Sequence, residues 1–150
     1  MSRILALDVG ERRIGVAISD PDERLAVPLR ILERQSAATD TKSIIDIAQA
    51  ENVKLLVVGH PLSLDGTVGP QARRVEEFAA RLRNASGLLL ELWDERLSSV
   101  QAERQLPNTR KARPKGSRRR RAPVDDLAAA IILQSYLDRR RTDSEAPSEA

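Results

Sequence analysis

The sequence predicts an α/β domain with a mixed five-stranded sheet flanked by helices. Three observations carry that expectation. The first 32 residues hold three short apolar runs separated by brief turn-like segments. Two later apolar runs each follow a stretch of helical periodicity, and a last helical stripe comes near the end of the chain. At 150 residues the chain suits one domain, large enough to bury a core.

Residues 3–8 (RILALD) and 14–19 (IGVAIS) flank VGERR, a turn containing Gly10, and read as a hairpin. The third run, 25–32 (LAVPLRIL), contains Pro28. Proline cannot donate to a ladder, so that strand belongs at a sheet edge. The period then changes. Ile44, Ile45 and Ala48 among polar neighbours give a modest helix over 40–51. KLLVVG at 54–59 suits a strand covered on both faces. A loop at 60–69 holds Gly66 and Gly69, and Pro70 opens a helix whose buried stripe is Val75, Phe78, Ala79 and Leu82. LLLELW at 88–93 is a fifth strand, and Ser98 with Gln101 resembles a capping box opening a short helix through Leu106. Residues 107–122, rich in Pro, Gly and Arg, read as a mobile loop. The final helix is expected from about Pro123, with Val124, Leu127, Ala128, Ile131 and Ile132 on its apolar face. The tail 142–150 reads as disordered, which leaves a domain over 1–141.

Short turns make the first three strands antiparallel, and helical crossovers make the last two parallel to their neighbours. This is the arrangement of ribonuclease H-like folds, and equally of one lobe of the sugar-kinase and actin ATPases.

Composition narrows the chemistry. One Trp, one Tyr and one Phe cannot build the aromatic platform that stacks single-stranded bases. The absence of cysteine excludes a disulfide scaffold and a thiolate zinc site, and a single His excludes a site built mainly from imidazole. A metal here would be held by carboxylates, which favours Mg²⁺ or Mn²⁺. No segment approaches the ~20 apolar residues of a membrane span, and the N-terminus lacks the apolar stretch of a signal peptide; the expected location is cytoplasmic, with no membrane partner. The net charge of +3 is uneven. Residues 110–121 (RKARPKGSRRRR) contribute Arg110, Lys111, Arg113, Lys115, Arg118, Arg119, Arg120 and Arg121 and no acid, and without them 17 basic residues face 22 acidic ones. One short basic segment on an acidic body suits a nucleic acid that meets the protein at one edge. The bland reading is a solvated loop.

Three acidic positions stand out. Asp8 ends an apolar strand before Val9-Gly10, Asp94 and Glu95 end the fifth strand, and Asp125 and Asp126 lie in the first turn of the last helix. Each has a structural alternative: an Asp bonding its own turn, a polar strand end, or acids complementing a helix dipole. Taken together they could converge on one or two cations, an arrangement suited to phosphoryl transfer. Crowded carboxylates are costly without a cation.

The segments LALDVGERRIGVAISD, VVGHPLSLDG followed by GPQA, DERLSS followed by AE, and VDDLAAAIILQSYL resemble the successive motifs of the YqgF family. Its members are described as Holliday-junction-resolvase-like proteins and candidate pre-16S rRNA nucleases. The resemblance runs from about Ile4 to Leu137. It implies a ribonuclease H-like fold, metal-dependent nuclease activity and a role in ribosome biogenesis. It also places the family's acidic positions on Asp8, Glu95 and Asp125, with Asp94 and Asp126 as weaker candidates. His60 and Asp126 depart from the usual pattern, and Asp126 leaves the choice within its pair open. His60 reads as a solvent-facing loop residue, or else as a proton shuttle. Arg96 either faces a phosphate or neutralises its acidic neighbours. The glycines Gly66 and Gly69 lie before a helix N-terminus suited to a phosphate, or are simply loop residues. Trp93 reads as core, and Ser98 and Ser99 as caps.

The expected activity is therefore hydrolysis of phosphodiester bonds in structured RNA or branched DNA. Junction cleavage would call for a homodimer, since two symmetric cuts need two sites. Two alternatives belong to other classes. One is a nucleotide-binding module, because Asp8-Val9-Gly10 with Gly15 resembles the phosphate turn of actin-like ATPases, although those proteins need a second lobe that 150 residues do not provide. The other is a non-catalytic ribosome-assembly factor that binds RNA through its Arg-rich loop.

Overall fold

A computed structural model describes residues 2–98 and 124–145, with side chains described for 2–98 and 127–143. Five strands, β1 (Arg3–Val9), β2 (Arg13–Ser19), β3 (Ala26–Glu33), β4 (Val53–His60) and β5 (Leu89–Asp94), form one sheet in the order β3-β2-β1-β4-β5. The pairs β1–β2 and β2–β3 are antiparallel, and β1–β4 and β4–β5 are parallel. This is the expected mixed sheet. Pro28 does sit on an edge strand, and the ladder shifts register between Val16 and Ala17 where that proline pairs.

Among the described residues three helices cover the sheet: α1 (Ala37–Ala50), α2 (Pro70–Ser86) and α3 (Val124–Glu145). α1 begins at Ala37, earlier than the apolar pattern suggests, because the Ser36 side chain accepts the Thr39 N–H and caps it. Pro70 stands in the first turn of α2 as expected. Gly87 closes that helix in the left-handed region (φ 72°), returning its N–H to the Arg83 carbonyl.

Strand alternation sorts the side chains into two cores. Leu5, Leu7, Val9, Leu56 and Val58 pack under α1 and α2. Ile4, Ala6, Ala17, Leu55 and Val57 pack under α3. The stripe that α3 buries is Ala128, Ala129, Ile132, Leu133, Tyr136 and Leu137. The expected face is therefore corrected: Leu127 is 45% exposed and Ile131 only partly buried. The helix is rotated so that Ala128 and Ala129 are buried in the same core as Ala6 and Ala17 of the sheet. It also runs to Glu145, so residues 142–145 are helical where a disordered tail is expected. The expected helix from Ser98 through Leu106 and the basic loop lie outside the described residues, Ser98 excepted; its hydroxyl donates to the Glu95 carbonyl. Among the described residues no helix is long and apolar enough to cross a membrane.

Candidate active site

Asp8 follows Ile4 and Ala6 in the alternation along β1, so it projects toward α3, and it does so at the carboxyl end of the strand. It is 2% exposed. The turn after it is closed by the Gly10 N–H donating to the Arg13 carbonyl.

Glu95 comes from the other parallel arm. β5 ends at Asp94, whose side chain accepts the Arg96 N–H and starts a single 3₁₀ turn, Glu95–Leu97. That turn folds Glu95 inward to 2% exposure. Its carboxylate lies over Gly59 of β4, with Oε2 2.7 Å from where a Cβ on Gly59 would stand. Leu7 pairs with Val58, so continuing that register sets Asp8 beside Gly59. Neighbouring strands are ~4.8 Å apart. Asp8 and Glu95 are thus brought together, on one face and at one end of the sheet.

The helix α3 runs down this same face. Ile132 Cδ1 also lies 2.7 Å from the Cβ position of Gly59, at the carboxyl end of β4. Arg140, further along, reaches Glu23 at 3.6 Å, and Glu23 also pairs with Lys54 at the start of β4. The helix axis therefore points away from the acidic pair, and its first turn, containing Asp125 and Asp126, begins at their end of the sheet. The backbone rises ~10 Å over the seven residues from Asp125 to Ile132. The side chains of Asp125 and Asp126 lie outside the described residues, as do Arg110, Lys111, Arg113, Lys115, Arg118, Arg119, Arg120 and Arg121. Among the described residues no group of three or more acidic or imidazole side chains comes together.

Asp94 and Arg96 are engaged with each other. The guanidinium donates to both Asp94 oxygens, at 2.7 Å from Nη2 and 3.0 and 3.1 Å from Nε, and Nη1 donates to the Leu64 carbonyl. These hydrogen bonds, chiefly the side-chain ones, hold the Asp94 carboxyl below the usual carboxylate range and raise Arg96. Gly66 adopts φ 90° in the loop that receives Arg96. Gly69 is the N-cap of α2, without a side-chain cap.

The expectation for His60 is corrected. It is the last residue of β4, its side chain is 14% exposed, and its Nε2 lies 2.8 Å from Glu76 Oε2. By alternation with Leu56 and Val58 it faces α2, on the opposite side of the sheet from Asp8 and Glu95. It is neither a solvent-facing loop residue nor placed to shuttle protons at the acidic pair. Trp93 packs edge-on against Tyr136, with ring centroids 5.3 Å apart, and its Nε1 donates to Ser135.

The donor set suits a hard cation. Two buried carboxylates side by side are oxygen ligands of the kind Mg²⁺ and Mn²⁺ take, and their proximity is costly without a cation. The residue that the sequence reading passes over is Gly59. A glycine inside an apolar strand signals close approach of another group, and here that group is Glu95.

A mixed sheet in this order, with buried acids at the carboxyl ends of β1 and β5, has the architecture of a ribonuclease H-like domain. Comparison with known proteins agrees. The chain belongs to the RuvX family, described as Holliday junction resolvases, whose model matches residues 2–139. A relative from Crocosphaera subtropica named "Putative pre-16S rRNA nuclease" is 48% identical over 143 residues, covering 94% of this chain and 97% of its own length. A relative of the same name from Chloroflexus aurantiacus is 45% identical over 148 residues, 97% of this chain and 93% of its own. Among solved structures, Thermus thermophilus RuvC in complex with a Holliday junction substrate superposes with a TM-score of 0.58 at 11% identity, covering 94% of this chain and 96% of that one. The fowlpox virus Holliday junction resolvase gives 0.53 at 14% identity, over 91% and 99%. These two likenesses bear on the fold, and both support the ribonuclease H-like class. The family resemblance carried by the four sequence motifs is borne out.

Proposed function

We propose that the chain is a metal-dependent endonuclease that hydrolyses phosphodiester bonds during 5′-end processing of pre-16S rRNA in the cytoplasm, with Asp8, Glu95 and Asp125 holding Mg²⁺ or Mn²⁺. The observation that carries this reading is the burial of two carboxylates from separate elements at one point beside Gly59, in a chain 45–48% identical to relatives that bear that name. Bound there, a divalent cation supplies Lewis acidity, lowering the pKa of water and offsetting the charge that develops on the phosphoryl group. Asp8 and Glu95 orient the site from a rigid strand end and from a turn locked by Asp94. Water adds to phosphorus as the bridging P–O3′ bond breaks, which leaves a 5′-phosphate and a 3′-hydroxyl. Arg96, held on Asp94, keeps that neighbouring carboxylate out of the site. The basic run from Arg110 to Arg121 holds the nucleic-acid backbone without reading sequence.

A second reading, cleavage of branched DNA, is favoured by the family's own description, and symmetric cuts would call for a homodimer. Incubating the protein with Mn²⁺ on pre-rRNA fragments and four-way junctions in parallel tests both. Cutting of the rRNA fragments alone supports the first reading, and paired symmetric cuts in the junction support the second. No cleavage of either substrate overturns both.

A further inference from the structure

We infer that Gly59 is a positioning residue for the acidic site: by carrying no side chain it leaves the space in which the Glu95 carboxylate crosses β4 to stand beside Asp8. This deepens the reading of Asp8 and Glu95 as cation ligands and rests on it.

Gly59 is an interior residue of the sheet, paired with Trp93 of β5 on one side and next to β1 on the other. Its backbone is that of a strand, outside the left-handed region, so an L side chain would meet no strain from φ. What opposes a side chain is space. A Cβ would stand 2.7 Å from Glu95 Oε2, 3.4 Å from Glu95 Cδ and 2.7 Å from Ile132 Cδ1. Contacts below about 3 Å do not persist, so both neighbours must give way. Ile132 is fully buried, in a layer with Ala129, Leu133 and Val57, and close-packed interiors have little room to yield. Glu95 hangs from a single 3₁₀ turn at the rim. The carboxylate is therefore the group that moves further, and it is displaced from the position next to Asp8. A glycine in mid-strand costs stability relative to alanine, and here that cost secures the position of a ligand.

The test compares Mn²⁺ binding by calorimetry and thermal unfolding for four full-length proteins: wild type, Gly59→Ala, Ile132→Val, and the double variant. Ile132→Val removes Cδ1, the second obstacle, and leaves the conflict with Glu95. Wild type and Ile132→Val should bind Mn²⁺ alike. Gly59→Ala should bind at least ten-fold more weakly, and the double variant should regain any Tm that Gly59→Ala loses while binding Mn²⁺ no better. If wild type binds no Mn²⁺, the cation reading itself falls, whatever Gly59 does. If wild type binds and Gly59→Ala binds equally well, the positioning role is overturned. It is equally overturned if the double variant recovers Mn²⁺ binding together with Tm, since the space would then belong to Ile132. Failure of both alanine variants to fold would make Gly59 a packing residue and also overturn the inference.

Discussion

Replacing Asp8 with Asn separates a cation ligand from an aspartate that merely serves its own turn. Asp8 sits one strand spacing from Gly59, on which the Glu95 carboxylate rests. At that backbone spacing of ~4.8 Å, two like charges at an effective dielectric of ~20 would repel by roughly 3 kcal/mol. Asparagine keeps the volume and removes one charge, so the cation-free variant should be no less stable than wild type. With a cation the order reverses. At a concentration 100-fold above its Kd, a ligand that binds only the folded state adds ~2.7 kcal/mol. A domain of this size moves its Tm by ~2–4 °C per kcal/mol, so Mg²⁺ or Mn²⁺ should raise the wild-type Tm by roughly 5–11 °C and that of Asp8→Asn by much less. Cleavage should be abolished in the variant. The assay is calorimetric unfolding with chelator and with excess cation, beside a cleavage time course. A loss of more than ~1 kcal/mol in chelator would show that Asp8 supports the turn. An unchanged cation-induced rise in Asp8→Asn would refute its role as a ligand.

Other outcomes can be checked independently. Replacing Arg118, Arg119, Arg120 and Arg121 with Ala takes the formal charge from +3 to −1. Each lost phosphate contact should flatten the salt dependence of duplex-DNA binding by up to ~0.9 of a log–log unit, read in a salt titration. Leu133→Ala empties a fully buried position under α3 and should cost ~2–5 kcal/mol in denaturant unfolding. Burial, followed by its hydrogen bond to Glu91, pushes the Tyr136 phenol up to about 12. The fold thus favours the neutral phenol, and this stability is complete below the unfolded pKa of ~10 and lost as pH rises through the folded value. Tyr136→Phe should accordingly weaken the fall in Tm between about pH 10 and 12. Alanine at Asp94 should leave measurable cleavage where alanine at Glu95 leaves none, in a time course at saturating Mn²⁺.

Much of this arrangement is legible in the chain itself. Every strand lies within a residue or so of its apolar run, because buried strands in a mixed sheet need unbroken or alternating apolar residues and little else. Pro28 announces its own edge. Asp8 is conspicuous as a carboxylate that ends such a run. The choice between Asp94 and Glu95 is not local, since adjacent residues with the same chemistry look alike until the 3₁₀ turn and the Arg96 clasp separate them. The rotation of α3 is hidden for a similar reason. Leu127 and Ile131 are as apolar as the residues it buries, and only the docking of the helix on the sheet decides that Ala128 and Ala129 face the core. His60 looks like a loop residue because a strand and the loop after it share no sequence boundary. Its partner, Glu76, lies on the next helix.

The two cores have different completion times along the chain. Among the described residues, the one beneath α1 and α2 is built from positions before 98, so those parts can close while the rest is still being made. The other, which holds the acidic pair, lacks its cover until the last helix is synthesised and docks. A truncated or nascent chain would carry Asp8 and Glu95 on an open apolar surface formed by Ile4, Ala6, Leu55 and Val57, with Ile132 absent from Gly59. On this architecture the strand face that carries Asp8 and Glu95 is covered only once α3 has docked, so a fragment that ends before α3 carries the two acids without that cover.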